Sequence, residues 1–308
     1  MSEKKERIVF DVAYQPQVRT NTDTRRIMLD VIIALLPAVV VGVINFGLAI
    51  LLPIVTSVAS AVFFEWAYRK FMKKPDTIGD LTAVLTGLLM AMTMPPQTPW
   101  WMPIIGTFFA IVVVKQLYGG LGKNFLNPAL AGRAFLMASY AVVMGSVVVD
   151  GVSTATPLSY MYAGEANPYT VGQMFLGTIP GAMGEASALA LLAGGLYLIW
   201  KKVISPIIPV AYIGTVFVMA WLLDVNPVMQ ILSGGLILGA FFMATDYSTS
   251  PVTNKGKLIF GIGCGLITIV IRLFGQYVEG VSFAILLMNI LTPLIDKWTR
   301  TKPFGGVK

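Results

Sequence analysis

Long apolar segments, repeated along the whole chain, constrain the fold of this protein more than any other feature. A transmembrane helix needs about 20 consecutive apolar residues to cross the hydrocarbon core of a bilayer. Apolar segments lie at roughly 26–45, 47–68, 80–95, 99–117, 128–147, 186–203, 206–224, 228–245, 257–274 and 279–297. Because several are shorter than a full span, we expect an all-α integral membrane protein of about ten transmembrane helices, some of them short or broken.

The composition excludes an ordinary soluble protein. Of the 308 residues, 56% are hydrophobic and only 12% are charged, whereas a soluble domain carries about 25% charged residues. The first seven residues, MSEKKER, are too charged and too far from an apolar run to form a secretory signal. The net charge of +7 is explained by basic cytoplasmic loops. We therefore expect a lipid bilayer, and not nucleic acid, around this chain.

The distribution of basic residues predicts the orientation in the membrane. With ten spans and a cytoplasmic N-terminus, only Arg272 of the 22 Lys and Arg residues falls on the far side. Beyond the first segment, the cytoplasmic side receives Arg25, Arg26, Arg69, Lys70, Lys73, Lys74, Lys115, Lys123, Arg133, Lys201, Lys202, Lys255, Lys257, Lys297, Arg300, Lys302 and Lys308. This bias follows the positive-inside rule. It predicts a multi-pass protein of the cell (inner) membrane with both termini in the cytoplasm.

The same threading divides the chain into five regions. They are a cytoplasmic segment (1–25), a first five-helix half (26–147), an extracytoplasmic loop (148–185), a second five-helix half (186–297) and a cytoplasmic tail (298–308). The loop contains Asp150, Glu165 and Glu185 but neither Lys nor Arg. The loop is therefore predicted to lie outside the cytoplasm.

A weak internal repeat relates the two halves. The first half reads LMAMTMPP from Leu89, then an apolar span, then KQLYGG from Lys115. The second reads FMATD from Phe242, then Ser-Pro, an apolar span and RLFGQ from Arg272. Because five is an odd number of helices, the two halves would have inverted topology, as in many transporters. Chance similarity between apolar segments is the alternative.

Ligands for a metal-based redox centre are nearly absent from this sequence. There is no histidine, and the one cysteine, Cys264, lies inside an apolar segment. Haem usually needs an axial His, Met or Cys, and iron–sulfur clusters need several thiolates. The chain alone therefore predicts no metal site, although Cys264 could join a cluster shared with another subunit. Electron chemistry would require an organic cofactor.

A Gly/Asn/Pro-rich stretch, GGLGKNFLNPALAGR from Gly119, precedes and opens the fifth apolar segment. Irregular backbone at a membrane is tolerated only beside a cavity or water. The loop could hold a ring system or an ion through Asn124, Asn127 and Arg133. A helix-connecting turn capped by Asn is the simpler interpretation.

Acidic residues near the apolar segments are candidates for an ion path, because an ionisable group in lipid is costly. These residues are Asp30, Glu65, Asp80, Asp246, Glu279 and Asp296. Most lie near predicted span ends, where water reaches them. Glu65 is the most embedded, yet Arg69 one turn later could pair with it. We keep Glu65 and Asp246 as the ion-path candidates.

The stretch DGVSTATPL, from Asp150, interrupts the apolar sequence with small hydroxyl-bearing residues. A catalytic serine is excluded, since the chain has no histidine and no sequence resembling a nucleophile elbow. The stretch is either a polar turn or the acceptor of a modification on one hydroxyl.

The pattern Asp-Gly-x-Ser-x-Ala-Thr resembles the motif at which a flavin transferase links FMN to threonine through a phosphoester. By this resemblance the acceptor is Thr156, and Asp150, Gly151, Ser153 and Ala155 form the recognition turn. Position 154 is a threonine where the family often has glycine, which leaves a rival hydroxyl two residues away.

Three longer blocks extend the resemblance over roughly residues 26–300. They are GGLGKNFLNPALAGRAFL (119–136), FFMATDYSTSPVTNKGKLIFG (241–261) and EGVSFAILLMNILTPLID (279–296). They are similar to the D subunits of Rnf electron-transport complexes and to the related B subunits of sodium-pumping NADH:quinone reductases. The B subunits usually carry a longer N-terminal extension, so the roughly 25 residues before the first span favour the Rnf type.

The resemblance implies a ten-helix membrane subunit with covalent FMN on the extracytoplasmic side and a second, non-covalent flavin, riboflavin or FMN. It implies partner subunits of the complex, a flavin transferase for maturation, and coupling of ferredoxin:NAD oxidoreduction to Na+ or H+ movement. The subunit would not be catalytic alone. We place the second flavin near Asn124, Asn127 and Arg133. Arg272 would either steady an anion or pair with Glu279, and we favour the pair. A non-redox transporter or channel and a structural scaffold are the alternatives.

Overall fold

A computed structural model describes residues 23–145, 148–149, 152–153, 156–163, 167–185, 187–275 and 280–300. The described part of the chain is almost entirely helical. Its helices are α1 Thr24–Phe46, α2 Leu51–Phe71, α3 Thr82–Met92, α4 Trp101–Phe108, α5 Pro128–Ser139, α6 Ala141–Gly145, α7 Pro157–Ala163, α8 Val171–Leu176, α9 Ala188–Trp200, α10 Ile207–Leu222, α11 Pro227–Leu232, α12 Leu236–Leu238, α13 Asn254–Phe274 and α14 Val281–Thr299. The π-helical segments Phe109–Gln116 and Gly239–Met243 continue α4 and α12. A two-stranded antiparallel hairpin pairs β1, Val148–Val149, with β2, Val152–Ser153.

Four helical segments are long and apolar enough to cross a membrane: Thr24–Phe46, Leu48–Phe71, Asn254–Phe274 and Val281–Thr299. Apolar side chains on their outer surfaces are exposed, as lipid-facing residues must be. Leu36, Val40 and Ile44 on α1 are examples. The predicted membrane protein of α-helical class is confirmed.

Two short helices lie buried at the centre of the fold. Helix α3 has 11 residues, about 16 Å at 1.5 Å per residue, which is too short to cross a bilayer. The segment predicted at 228–245 is broken: α11 ends at Leu232, and a turn with positive φ at Gly234 and Gly235 precedes α12. Glycine tolerates this backbone conformation because it lacks Cβ. The prediction that some helices are short or broken is therefore confirmed.

Polar residues in the sequence set where several helices begin. The side chain of Asn127 accepts hydrogen bonds from the amides of Ala129 and Leu130, and Pro128 occupies the first helical position of α5. Asn226 and Pro227 begin α11 in the same way. A capping side chain satisfies amides that have no partner within the helix.

Small residues allow helices to approach closely. A Cβ added at Gly261 on α13 would lie 2.7 Å from the Cβ of Ala211 on α10, and one at Gly265 would lie 2.6 Å from Thr215. This spacing of small residues one turn apart is typical of membrane helix pairs. At the α2–α3 contact, Ser57 donates to the carbonyl oxygen of Gly87 at 2.6 Å. In lipid the hydrophobic effect does not drive helices together, so van der Waals contact and hydrogen bonds at such close approaches stabilise the helix pairs.

Candidate functional site

Thr156 lies at the junction between the hairpin region and α7. Its side chain is half-buried. The Oγ1 atom accepts a hydrogen bond from the amide of Ser159 at 3.2 Å and lies 2.9 Å from the Ser159 hydroxyl. The hydroxyl is thus held at the first turn of α7, in the arrangement of an N-terminal helix cap. A phosphoester oxygen at this position could accept the same amide hydrogen bond.

The rest of the predicted attachment motif is only partly described. Ser153 ends β2. Asp150, Gly151 and Ala155 lie outside the described residues, and so does the rival hydroxyl at position 154. The recognition turn therefore stays a prediction.

Two tyrosines lie near Thr156. The amide of Tyr160 donates to the Thr156 carbonyl oxygen at 3.2 Å. The rings of Tyr160 and Tyr169 meet edge to face with centroids 6.3 Å apart. Partial burial, with a further contribution from Tyr160, raises the pKa of the Tyr169 phenol. The two rings add apolar surface to this loop.

A cleft opens between the N-terminal and C-terminal parts of the chain, and its cavity volume of about 80 Å³ is smaller than the roughly 300–1,000 Å³ usual for small-molecule sites. It is lined by parts of α1, α3, α5 and α9, by both π-helical segments and their adjoining loops, and by the turn after Met243. Most of the lining is apolar. Its polar contributors include Thr82, Lys115, Asn124, Asn127 and Asp246.

Asn124 and Asn127 both line this cleft. Asn124 donates to the Leu126 carbonyl oxygen at 2.9 Å, which shapes the loop. Asn127 caps α5 and also donates to the carbonyl oxygen of Met243 at 3.2 Å. Arg133, the third residue predicted from the Gly/Asn/Pro loop, does not line the cleft. It is buried further along α5, where its guanidinium interacts with Glu185.

Lys115 is the cleft residue whose burial the sequence analysis does not predict. The positive-inside rule assigns it to the cytoplasmic basic residues, but its side chain is 2% exposed. Its ammonium nitrogen lies 2.7 Å from Glu65 Oε2 and donates to Thr82 Oγ1 at 2.7 Å. Arg69, the expected partner of Glu65, is further away, with Nε 3.9 Å from Oε1. A buried carboxylate needs a close countercharge, and the embedded position of Glu65 was the available signal.

Asp246 lines the same cleft and organises the turn that follows the second π-helical segment. Its carboxylate accepts from the hydroxyls of Ser248, at 3.0 Å, and Thr249, at 3.2 Å. Lys115 lines the same cleft. The lining therefore contains both a carboxylate and an ammonium group.

Three of the remaining predicted acids accept hydrogen bonds within the described part of the chain. Asp30 accepts from the Tyr197 hydroxyl at 3.0 Å. Asp80 accepts from the amide and the hydroxyl of Thr82 at the start of α3. Asp296 accepts from the amide of Val252 at 3.1 Å. Glu279 lies outside the described residues.

Arg272 is buried near the end of α13 and binds neutral oxygens. Its guanidinium donates to the carbonyl and side-chain oxygens of Gln230, at 2.6 and 3.0 Å, and to the carbonyl oxygens of Ser233 and Gly234, at 2.9 and 3.2 Å. It therefore holds the turn that breaks α11 from α12. Among the described residues, no group of three His, Cys, Asp or Glu side chains could hold a metal ion.

Comparison with known proteins identifies the same family that the sequence motifs resemble. A sequence model of the "NQR2, RnfD, RnfE family" matches residues 11–305. The chain is 50% identical, over 96% of each sequence, to the D subunit of the Na(+)-translocating ferredoxin:NAD(+) oxidoreductase complex of Acetobacterium woodii. It is 45% identical, over 96% of each sequence, to the D subunit of the proton-translocating ferredoxin:NAD(+) oxidoreductase complex of Clostridium ljungdahlii.

A more distant relative is the D subunit of the ion-translocating oxidoreductase complex of Escherichia coli (strain SE11), which is 37% identical over 98% of this chain and 100% of the relative. The family predicted from the acceptor motif and the three sequence blocks is thereby confirmed. This chain belongs to the NQR2, RnfD, RnfE family.

Proposed function

We propose that this chain is the D-type membrane subunit of an ion-translocating ferredoxin:NAD(+) oxidoreductase complex and carries FMN bound covalently to Thr156. Full-length similarity to subunits of such complexes supports the assignment. The observation that carries it is the position of the Thr156 hydroxyl, half-buried at a loop–helix junction within a complete acceptor motif. The chain itself would work only within the complex, alongside its other membrane subunits.

The residues around Thr156 suit a phosphate-linked flavin. Thr156 Oγ1 would form the phosphoester, and the amide of Ser159 is positioned to donate to an oxygen there. A hydrogen bond donated by a backbone amide stabilises negative charge on a phosphate oxygen. When bound, FMN supplies reversible transfer of one or two electrons, while the protein supplies position and electrostatics. A flavin transferase would form the bond, and Asp150, Gly151, Ser153 and Ala155 would be its recognition turn.

A second, non-covalent flavin, riboflavin or FMN, would lie at the cleft lined by Asn124 and Asn127. The mostly apolar lining with a few polar groups has the character of a small-molecule site, and the cavity of about 80 Å³ would have to open to admit the ring system. Asn124 and Asn127 would offer amide hydrogen bonds to ring oxygens and nitrogens. Lys115 also lines the cleft, with its charge paired to Glu65. Arg133 would act elsewhere, because it is not part of the lining.

Na+ or H+ movement would pass near the charged groups of the same cleft. Asp246 lines the cleft. Glu65 forms an ion pair with Lys115, which is also a lining residue. Carboxylates in a membrane interior commonly mark ion or proton pathways. Glu65 and Asp246 are therefore our candidates for the path.

An inverted repeat of two five-helix halves is supported by matching features of α3 and α12. Each short buried helix begins after a residue with left-handed φ, Leu81 or Gly235. Each start is reached by a buried basic residue: Lys115 bonds Thr82, and Arg272 bonds the Ser233–Gly234 turn. Such broken helices facing the interface of repeats are typical of inverted-repeat membrane proteins.

The two basic residues lie toward opposite ends of the fold. Asn254, at the start of α13, follows the turn of Asp246 beside the Lys115 cleft, whereas Arg272 is 18 residues further along the same helix, about 27 Å away at 1.5 Å per residue. With ten spans and both termini in the cytoplasm, the cleft would open toward the cytoplasm. Thr156 would then face the extracytoplasmic side of the cell membrane.

Flavin fluorescence of the denatured chain on a gel tests the central proposal. The wild-type chain, Thr156→Ala and Thr154→Ala should each be co-expressed with a flavin transferase of demonstrated activity. We expect fluorescence in the wild-type and Thr154→Ala chains and none in Thr156→Ala. A wild-type chain without covalent flavin would remove the redox assignment and favour a non-redox transporter.

A further inference from the structure

Arg272 carries a buried positive charge directly beneath the loop that contains Thr156. Its side chain is 2% exposed. A Cβ added at Gly234 would lie 2.7 Å from Arg272 Nη2 and 2.5 Å from Leu158 Cδ2. The guanidinium and the Leu158 side chain therefore meet with only a glycine between them. Leu158 is buried and two residues after Thr156, and two residues of chain span at most about 7 Å.

The hydrogen bonds of Arg272 do not neutralise this charge. All four described bonds go to neutral oxygens of Gln230, Ser233 and Gly234. These dipoles stabilise the guanidinium but leave its net charge in place. In a region with little water, the field of such a charge extends further than it would at a solvated surface.

Glu185 places an opposing charge on the other side of the same turn. Its Oε1 would lie 2.8 Å from a Cβ at Gly235, and this atom is buried without a hydrogen-bond partner. The carboxylate interacts electrostatically with Arg133 and with Arg272. With all three side chains ionised, two guanidinium groups face one carboxylate. Among the described residues, the group of Arg133, Arg272 and Glu185 then has a net positive charge near the Thr156 loop.

We propose that Arg272 raises, and Glu185 lowers, the reduction potential of the flavin attached to Thr156. The inference rests on the proposed attachment of FMN at that residue. Reduction adds negative charge to the isoalloxazine, and a nearby positive charge stabilises the reduced form over the oxidised form. Arg272 and Glu185 would therefore act on the flavin only through the electrostatic field of their charges. They form no bond with the reacting atoms.

The alternative is that Arg272 serves only as a clamp for the turn between α11 and α12. A clamp explains the four hydrogen bonds equally well, but it predicts no link between the charge of residue 185 and the flavin. The two accounts therefore differ in the direction of the midpoint-potential shift that they predict for substitutions at residues 272 and 185. Loss of the positive charge and loss of the negative charge should move the potential in opposite directions only if the field acts on the flavin.

The test is a spectroelectrochemical titration of the full-length chain, co-expressed with a flavin transferase. A parallel titration of Thr156→Ala isolates the contribution of the covalent flavin. We expect Arg272→Gln to shift its midpoint to lower potential, Glu185→Gln to shift it to higher potential, and Arg272→Lys to leave it close to wild type. Lys201→Gln is the charge-matched control. Residue 201 follows the far end of α9, about 20 Å from the end nearest Glu185, so no shift is expected.

Covalent flavin on a gel is measured for every variant before titration. A wild-type chain without it would overturn the proposed function rather than this inference. If Arg272→Gln fails to accumulate, the shape-conserving Glu185→Gln decides. Midpoints that do not change in Glu185→Gln, or that move in the same direction in Glu185→Gln and Arg272→Gln, would overturn the electrostatic role.

Discussion

The ammonium nitrogen of Lys115 lies 2.7 Å from a carboxylate oxygen of Glu65, fifty positions away in the sequence. Both side chains are at most 2% exposed. Thr82 accepts a further hydrogen bond from Lys115, and Thr77 donates one to the other carboxylate oxygen of Glu65, each at 2.7 Å. A desolvated ion pair with satisfied hydrogen bonds depends on both partners. It joins α2 to the π-helical segment that lines the cleft.

Breaking this pair on one side should destabilise the protein strongly. We expect Glu65→Gln to cost about 3–5 kcal/mol, because the Lys115 charge stays buried without its partner. Lys115→Met should cost less than Glu65→Gln, because Arg69 remains 3.9 Å from Glu65. The double variant should cost less than the sum of the single changes. Thermal unfolding in detergent measures all three. Lys201→Gln, which breaks a partly exposed pair with Asp30 at 3.9 Å, is the control and should cost at most about 1 kcal/mol. Strict additivity would contradict the coupling.

Gly194 should tolerate no side chain. A Cβ there would lie 2.1 Å from the carbonyl oxygen of Ala34, so α1 and α9 would have to separate. We expect Gly194→Ala to cost about 1–3 kcal/mol through overpacking, seen as a lower melting temperature in detergent. Gly214→Ala is the matched control in α10, since nothing lies within 4 Å of that position. Equal melting temperatures for the two variants would show that the α1–α9 contact relaxes freely.

Asn127 should affect both stability and the non-covalent flavin. Asn127→Ala removes the α5 cap, worth about 1 kcal/mol, and the hydrogen bond to Met243 in the wall of the cleft. We expect lower stability together with lower non-covalent flavin content of the purified protein. Asn226→Ala removes an equivalent cap from α11 and should lower stability alone. Flavin loss of the same size in both variants would point to general unfolding instead of a role in the cleft.

Asp246 should matter for ion dependence more than for folding. Asn at this position keeps an oxygen acceptor for Ser248 and Thr249 but removes the charge. For a complex that moves Na+, we expect Asp246→Asn to raise roughly tenfold the Na+ concentration needed for half-maximal electron transfer, equivalent to about 1.4 kcal/mol. The readout is the Na+ titration of the assembled complex. Asp296→Asn, which lies outside the cleft lining, serves as the control, and identical titrations for the two variants would exclude Asp246 from the path.

The class of protein and its family are readable from the amino-acid sequence, which also singles out Thr156 as the proposed acceptor. Long apolar runs indicate segments surrounded by lipid. Such a segment folds as a helix, because its backbone N–H and C=O groups must be hydrogen-bonded within the segment when no water is present. Local motifs also predict helix starts, such as Asn127-Pro128, since a cap involves residues only two or three positions apart. The Gly/Asn/Pro loop contributes Asn124 and Asn127 to the lining of the cleft, and a role of these residues in flavin binding stays a prediction.

Which charged groups meet is set by tertiary packing. Lys115 looks like a loop residue in the sequence, yet it is buried against Glu65; Arg133 belongs by sequence to the Asn127 loop, yet it interacts with Glu185. The bonds from Arg272 to Gln230 and from Asn127 to Met243 span 42 and 116 positions. Such pairings depend on how helices pack and on the cost of leaving a charge without a partner in a dry interior. That cost is a property of the assembled fold, which local sequence does not encode.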